Sequence, residues 1–221
     1  MTRQLSKIPQ SFYAARAKRV LDLVGSLILL LITAPIQILC AAAVAADDGW
    51  PVMYHQVRVG KDGRLFKLHK FRTMTVGTHE LSGGYPTAAA ITRPGRTLRR
   101  LSLDEIPQLV NILLGEMSFV GPRPTIPSQV ERYTVEQRGR LVVHPGLTGL
   151  AQIRHRDSAP WSRRITTDLE YVHGLSLRMD LRILLQTVPT ALKGEGQVDG
   201  LTAADIDDLG PAEAGSDQAH A

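Results

Sequence analysis

The chain has 221 residues, with 26 Lys and Arg against 21 Asp and Glu, a net charge of +5 and one cysteine. That lone thiol, Cys40, excludes an internal disulfide and fits a reducing compartment. Aromatic residues make up 5% of the chain and no recognition-helix, zinc-finger or RNA-binding signature is present, which disfavours nucleic acid as a partner.

Charge is unevenly spread. From Gly194 to Ala221 there are seven acidic residues and no Lys or Arg, so residues 1–193 carry all 26 basic residues against 14 acidic ones, a net of +12. The expected organisation is a flexible lead over 1–15, a membrane helix over 16–46, one cytoplasmic domain over 47–193 and an acidic, disordered tail over 194–221. A body this basic suits anionic lipid or phosphorylated small molecules.

Leu23 to Ala46 carries no charge, has basic residues on both sides and holds Pro35 near its centre. Arg16, Lys18 and Arg19 lie upstream, and Arg58, Lys61, Arg64 and Lys67 downstream. Basic residues near a span favour the cytoplasmic side, and a straight helix of this length would cross a core of roughly 30 Å and strand one cluster outside. A hairpin bent at Pro35 keeps both ends cytoplasmic, because proline removes an N–H and clashes with the preceding turn. The freed backbone groups then need partners, such as the Thr33 or Ser26 hydroxyls. A single-pass helix and a secretory signal peptide are the competing readings.

Val52 to Met74 predicts a β-hairpin turned at Gly60-Lys-Asp-Gly63. Gly77 to Gly95 reads as a loop. From Asp104, the positions Ile106, Leu109, Val110, Leu113 and Leu114 follow helical spacing and stop at Gly115. Pro127 to about Arg140 is expected to be a surface helix, His144 to Gly149 a turn, and Trp161 to His173 a further helix. In Ser176 to Lys193 the residues Leu177, Leu181, Leu184, Leu185, Val188 and Leu192 share one side, a pattern for an interfacial amphipathic helix or for one packed on the core. The expected fold class is α/β, mainly helical with a small β-hairpin element, a re-entrant membrane helix-hairpin and interfacial amphipathic helices.

Chemistry concentrates in Leu98-Arg-Arg-Leu-Ser-Leu-Asp-Glu-Ile-Pro-Gln-Leu109. Adjacent carboxylates on a helix cannot point the same way, so Asp104 and Glu105 can divide labour. The helix dipole and the guanidinium groups of Arg99 and Arg100 favour ionised carboxylates. An ionised Asp can attack phosphorus while its neighbour holds a divalent ion against diphosphate oxygens. The same residues also match a capping box from Ser102 to Glu105, although Pro107 requires either Asp104 as the cap or a distorted first turn. Lys70-Phe-Arg72-Thr-Met74 closes the hairpin, Gly121-Pro-Arg123-Pro124 presents a guanidinium on stiff backbone, and Arg154, Arg156 and Asp157 follow the 144–149 turn. Arginine binds phosphate oxygens bidentately.

Taken in order, several motifs resemble those of the monotopic bacterial polyprenyl-phosphate phosphoglycosyl transferases, the bacterial sugar transferases that prime surface-glycan assembly. They are Lys18-Arg19 with Asp22, the apolar segment with Pro35, Lys70 to Met74, Ser102 to Gln108, Gly121 to Pro124, Pro145 to Gly149 and Asp180 to Ile183. The resemblance covers about residues 16–193. It implies transfer of sugar-1-phosphate from a UDP-sugar to undecaprenyl phosphate, with release of UMP, in exopolysaccharide, capsule, O-antigen or glycoprotein glycan synthesis. It also implies a covalent phosphosugar–aspartyl intermediate with Asp104 as nucleophile, Glu105 as the Mg²⁺ ligand and Arg99 near the phosphates. Arg123, Arg156, Lys70 and Asp180 carry over more weakly, to the substrate site or its support. The implied location is the cytoplasmic face of the bacterial inner membrane, held monotopically among its lipids, with a homodimer left open. Departures are Ala34-Pro35, where related sequences often have Ser-Pro, and the less typical Arg154 and His155. An Asp-dependent phosphatase lacks its Asp-x-Asp-x-Thr loop here, and a polybasic membrane adaptor is the non-enzymatic rival.

Overall fold

The structure, a computed structural model, describes residues 13–78, 90–155, 159–192 and 207–210. A turn of π-helix, Tyr13–Ala17, runs into α1, Lys18–Asp48. At 31 residues, α1 would measure about 46 Å if straight. Pro35 lies inside it, so this segment is one helical element rather than two helices joined by a loop. Proline leaves the Leu31 carbonyl without its usual helical donor. The Thr33 hydroxyl donates instead to the Leu29 carbonyl at 2.6 Å, and Gln37 Nε2 donates to Thr33 Oγ1 at 3.0 Å. Such back-bonding bends helices.

Both ends of α1 are tied to the same body. At the start, Lys18 Nζ lies 2.6 Å from Asp180 Oδ2, and Arg19 donates to the carbonyls of Ile112 and Leu113 at 2.7 and 3.1 Å. The Phe119 amide donates to Asp22 Oδ1 at 3.1 Å. At the finish, Arg72 Nη2 donates to the carbonyls of Asp48 and Gly49 at 2.9 and 2.7 Å, and Arg72 Nη1 lies 3.0 Å from Asp48 Oδ2. A guanidinium at a helix C-terminus answers both the orphan carbonyls and the dipole. This buried Arg72 is therefore an anchor for α1, not one of the phosphate-binding arginines its motif suggested. Between these anchors, Leu31, Ile32, Ile38 and Leu39 are 68–69% exposed.

The predicted hairpin forms: β1, Met53–Val59, pairs antiparallel with β2, Leu65–Phe71, in a register running from Met53↔Phe71 to Val59↔Leu65. Its turn, Lys61–Gly63, places Asp62 and Gly63 at φ 55° and 78°, the left-handed region that glycine enters without steric cost. Part of the expected 77–95 loop, residues 79–89, lies outside the described residues. The rest begins α2, Arg93–Arg100, which the glycine and proline had hidden. Thr92 caps it by accepting from the Gly95 amide at 3.0 Å, and Pro94 occupies the first turn where no N–H is needed.

Beyond α3, Gln108–Leu114, the chain makes a second small sheet: β3, Ser118–Val120, lies parallel to β4, Gly146–Thr148. The surface helix expected from Pro127 to about Arg140 is not formed as such. Only α4, Pro127–Val130, and a 3₁₀ segment, Gln137–Val142, are helical. At the break Thr134 and Gln137 cap each other: Gln137 N donates to Thr134 Oγ1 at 3.3 Å and Thr134 N to Gln137 Oε1 at 3.0 Å, which starts the second segment anew. Then come α5, Leu150–His155, α6, Trp161–Gly174, and α7, Leu177–Leu192, which holds Pro189 inside.

One core gathers Val120, Val143, Leu150, Tyr171, Val172 and Ile183; another places Cys40 and Val44 of α1 with Val52, Phe71 and Leu98. Burying a large apolar side chain stabilises by about 1.5–3 kcal/mol, so α1 is packed into the body as well as bonded to it. Within the acidic tail, expected to be disordered, residues 207–210 dock: Leu209 is 8% exposed against Val59, Val130, Tyr133 and Ile165.

Candidate active site

The carboxylate pair stands on irregular backbone. Leu101 ends α2, Ser102 turns left-handed at φ 55°, and Leu103–Glu105 is a single 3₁₀ turn before α3. A non-glycine residue in that region costs on the order of 1 kcal/mol. Ser102 makes no side-chain capping bond, so the capping box does not form and the first turn is the distorted one. Pro107 fits there because the N–H it lacks would have no helical acceptor.

Asp104 is buried, at 4% exposed, while the Glu105 side chain keeps 21% of its surface. Burial, and then the charge of Glu105, push the Asp104 carboxyl above its ordinary value, against the pull of Lys70, Arg99 and Arg123. For Glu105, burial acts upward, but Arg123 and then Lys70 outweigh it and bring the carboxyl down. Basic neighbours favour the ionised form of both groups, as expected, but at Asp104 burial and the charge of Glu105 outweigh them. Burial also lowers Lys70, which Asp104 and Glu105 oppose.

Three of the predicted cations thus surround the pair. Arg123 Nη2 donates to Glu105 Oε1 at 2.9 Å. Its stiff loop is bonded on several sides: Gly121 N to Thr148 O at 2.9 Å, Gly146 N to Pro122 O at 2.9 Å, Arg58 Nη1 to Pro124 O at 3.2 Å and Arg140 Nη2 to Arg123 O at 2.9 Å. The glycines of Pro145-Gly-Leu-Thr-Gly149 serve this crossing. A Cβ on Gly146 would lie 2.1 Å from Gly121 N, and one on Gly149 would lie 2.2 Å from Gly121 O.

Lys70 is placed by a residue that pattern reading missed. Asn111 of α3, wholly buried, donates to the Lys67 carbonyl at 2.7 Å and accepts from the His69 amide at 3.1 Å. It clamps β2 one residue before Lys70. Arg140 is the other missed residue: it donates to Asp168 Oδ2 at 2.6 and 2.9 Å and to the Tyr133 hydroxyl at 2.8 Å. Sequence offers only a weak signal for either, since a pair 28 positions apart has no local period.

Asp180 is engaged elsewhere. Its carboxylate accepts from Tyr13, from Lys18 at 2.6 Å and from Tyr171 at 2.8 Å, joining the N-terminal helix to α6 and α7. These contacts give it a supporting role in the fold. Arg156 lies outside the described residues. No group of three or more His, Cys, Asp or Glu suited to a metal occurs among the described residues. Two adjacent carboxylates do suit an ion of the magnesium type, which takes one or two carboxylates together with substrate phosphates and water.

A sequence profile described as "Bacterial sugar transferase" matches residues 13–194. The chain belongs to the bacterial sugar transferase family. This transferase is 41% identical over 81% of its length to a Bacillus subtilis protein named "Uncharacterized sugar transferase EpsL", covering 89% of it. It is 39% identical over 79% of its length to the UDP-glucose:undecaprenyl-phosphate glucose-1-phosphate transferase of Caulobacter vibrioides, covering 69% of that protein. With the undecaprenyl-phosphate galactose phosphotransferase of Salmonella typhimurium it shares 37% identity over 81% of its length, but spans only 41% of that longer chain.

Proposed function

We propose that the transferase moves sugar-1-phosphate from a UDP-sugar to undecaprenyl phosphate at the cytoplasmic face of the bacterial inner membrane, in surface-polysaccharide synthesis. The observation that carries this reading is a buried aspartate within the field of Lys70, Arg99 and Arg123, beside a glutamate ion-paired with Arg123. The names of the relatives supply the substrate classes.

In the first step an Asp104 carboxylate oxygen bonds to the sugar-bearing phosphorus as its bond to UMP breaks, and UMP leaves with that electron pair. In the second, a lipid-phosphate oxygen bonds to the same phosphorus and the Asp104 carboxylate departs. Arg123 and Arg99 hold diphosphate oxygens, and Lys70 screens the charge between Asp104 and the incoming phosphate. Glu105, kept ionised, is the residue that would hold Mg²⁺, which supplies charge neutralisation at the diphosphate when bound. Asp104 must be ionised to attack, so the same cations that bind substrate also draw its carboxyl back toward reactivity.

A re-entrant, one-sided anchor is supported by the charged contacts that fasten both ends of α1 to one body. A polar body cannot follow a crossing helix through hydrocarbon. Interfacial placement of α7 is supported by Leu177, Leu181 and Leu185, 43–75% exposed and spaced one turn apart, with Arg178 and Arg182 beside them. Leu114 and Trp50, near the two ends of α1, are also exposed, at 65% and 79%.

The test is UMP release from a panel of UDP-sugars with undecaprenyl phosphate and Mg²⁺, followed by trapping with labelled donor and peptide mapping. Label on the peptide containing Asp104 is the expected result; turnover without label there defeats the covalent route. Tags at Met1 and Ala221 should be accessible from the same side of sealed vesicles, and opposite sidedness defeats the anchor.

A further inference from the structure

The docked acidic segment is recognised by three different chemistries within four residues. Arg132 forks onto Asp207 at 2.6 and 2.9 Å and also donates to the carbonyls of Leu209 and Gly210. Such bidentate geometry is the strong way for a guanidinium to hold a carboxylate. Asp208 accepts from the Ser162 amide at 3.0 Å and from the Ser162 hydroxyl. The helix it meets, α6, begins after Pro160, whose side chain makes no capping bond; a carboxylate from the far end of the chain fills that position. Leu209 then enters the slot lined by Val59, Val130, Tyr133 and Ile165. This segment lies beyond residues 13–194, the part that the family profile matches.

The slot shares its walls with the support of the catalytic loop. The hydroxyl of Tyr133 accepts from Arg140, which holds the Arg123 carbonyl, and the amide of Val59 donates to the Thr125 carbonyl at 2.8 Å. Arg123 in turn reaches Glu105. From Leu209 to the carboxylate pair there is thus a continuous chain of packed and bonded groups.

We propose that the body carries a binding site for an acidic-leucine segment, that its occupant is the chain's own Asp207-Asp208-Leu209, and that this segment acts as a latch bracing the Arg123 loop. Seated, it fixes Tyr133 and Val59; released, it loosens residues 121–142 and weakens the hold on the donor diphosphate. The effect on donor affinity rests on the proposed reaction, whereas the latch itself does not.

The experiment uses the full chain in lipid nanodiscs and reads amide hydrogen exchange by mass spectrometry, with no substrate present. In the unaltered chain, peptides covering 207–210 and 159–166 should exchange more slowly than unstructured sequence. Asp207→Asn with Asp208→Asn should release the tail and speed exchange across 121–142. Arg132→Gln, altered on the body side, should do the same. The Michaelis constant for the UDP-sugar should rise about fivefold or more, within the usual span of coupling between sites, with kcat held. Coil-like exchange at 207–210 in the unaltered chain overturns the proposal. So does release of the tail with exchange across 121–142 unchanged. If the exchange results come out as expected while no UDP-sugar is turned over, the latch is supported and the reaction is what fails.

Discussion

Replacing Arg140 with methionine separates two jobs that one side chain performs. Arg140 and Asp168 are 2% and 3% exposed at their side chains, and the guanidinium also serves the Tyr133 hydroxyl and the Arg123 carbonyl. Removing one partner of a buried ion pair costs about 3–5 kcal/mol, because the other charge is left in low dielectric. For a chain of this size each kcal/mol moves the unfolding midpoint by about 2–4 °C, so Arg140→Met should lower it by roughly 6–20 °C. Adding Asp168→Leu removes the stranded charge, and most of the lost stability should return. The Arg123 carbonyl, however, stays without its donor in the double variant, a loss on the order of 0.5–1.5 kcal/mol for a half-buried acceptor. Stability and donor affinity should therefore part company. Tryptophan fluorescence from Trp50 and Trp161 reads the melt in detergent, and UMP release at varied donor reads the Michaelis constant. A double variant as unstable as the single one refutes the ion-pair argument. A Michaelis constant that recovers with stability refutes the role assigned to the Arg123 carbonyl.

Asp104→Asn should abolish transfer and also raise the midpoint at neutral pH. Burial holds this carboxyl above its ordinary value, so its contribution to stability is present below the unfolded value and lost as pH rises through the folded one. The gain in the variant should vanish on acidification, and an unchanged midpoint at neutral pH counts against burial of the charge. Glu105→Gln should reduce turnover severely and shift the acid limb of the residual kcat/KM to lower pH, because the like charge beside Asp104 is gone; a shift to higher pH contradicts that coupling. Gly146→Ala should yield no folded protein, since its Cβ would meet Gly121 N at 2.1 Å. Recovery of a folded, active variant would show that the β3–β4 crossing yields.

The hairpin and α7 were legible from their side-chain periods, α6 as a helical stretch, and the long apolar helix from an uncharged run, Leu23 to Ala46. The carboxylate pair and Arg123 were legible because residues adjacent in sequence, or held between prolines, keep their relation in the fold. Parallel β3 and β4 were not, since three-residue strands leave no alternation to count, and their glycines speak equally for a turn. α2 was hidden by Pro94 and Gly95, which read as loop unless Thr92 is recognised as the cap. Arg72 carried the right charge for phosphate chemistry and Asp180 sat in a resembling motif, but they are used at the end of α1 and at the junction of α6 with α7. Whether a charge meets ligand or backbone depends on contacts 23 to 162 residues distant, and no local window contains them.

Those anchors also bear on where Asp104, the proposed nucleophile, can work. Arg19, at the start of α1, caps the C-terminal carbonyls of α3, and α3 begins three residues after Glu105. A helix of seven residues is only about 10 Å long. On the one-sided topology Arg19 lies at headgroup depth, so the catalytic pair is held within a short, rigid reach of the layer where a polyprenyl phosphate keeps its charge. Diffusion in the plane then brings the acceptor to the site, and the protein needs no deep cavity for the lipid chain. If the proposed one-sided anchor holds, the polar fastening of α1 does more than hold the protein on a surface: it sets the height of Asp104 above it.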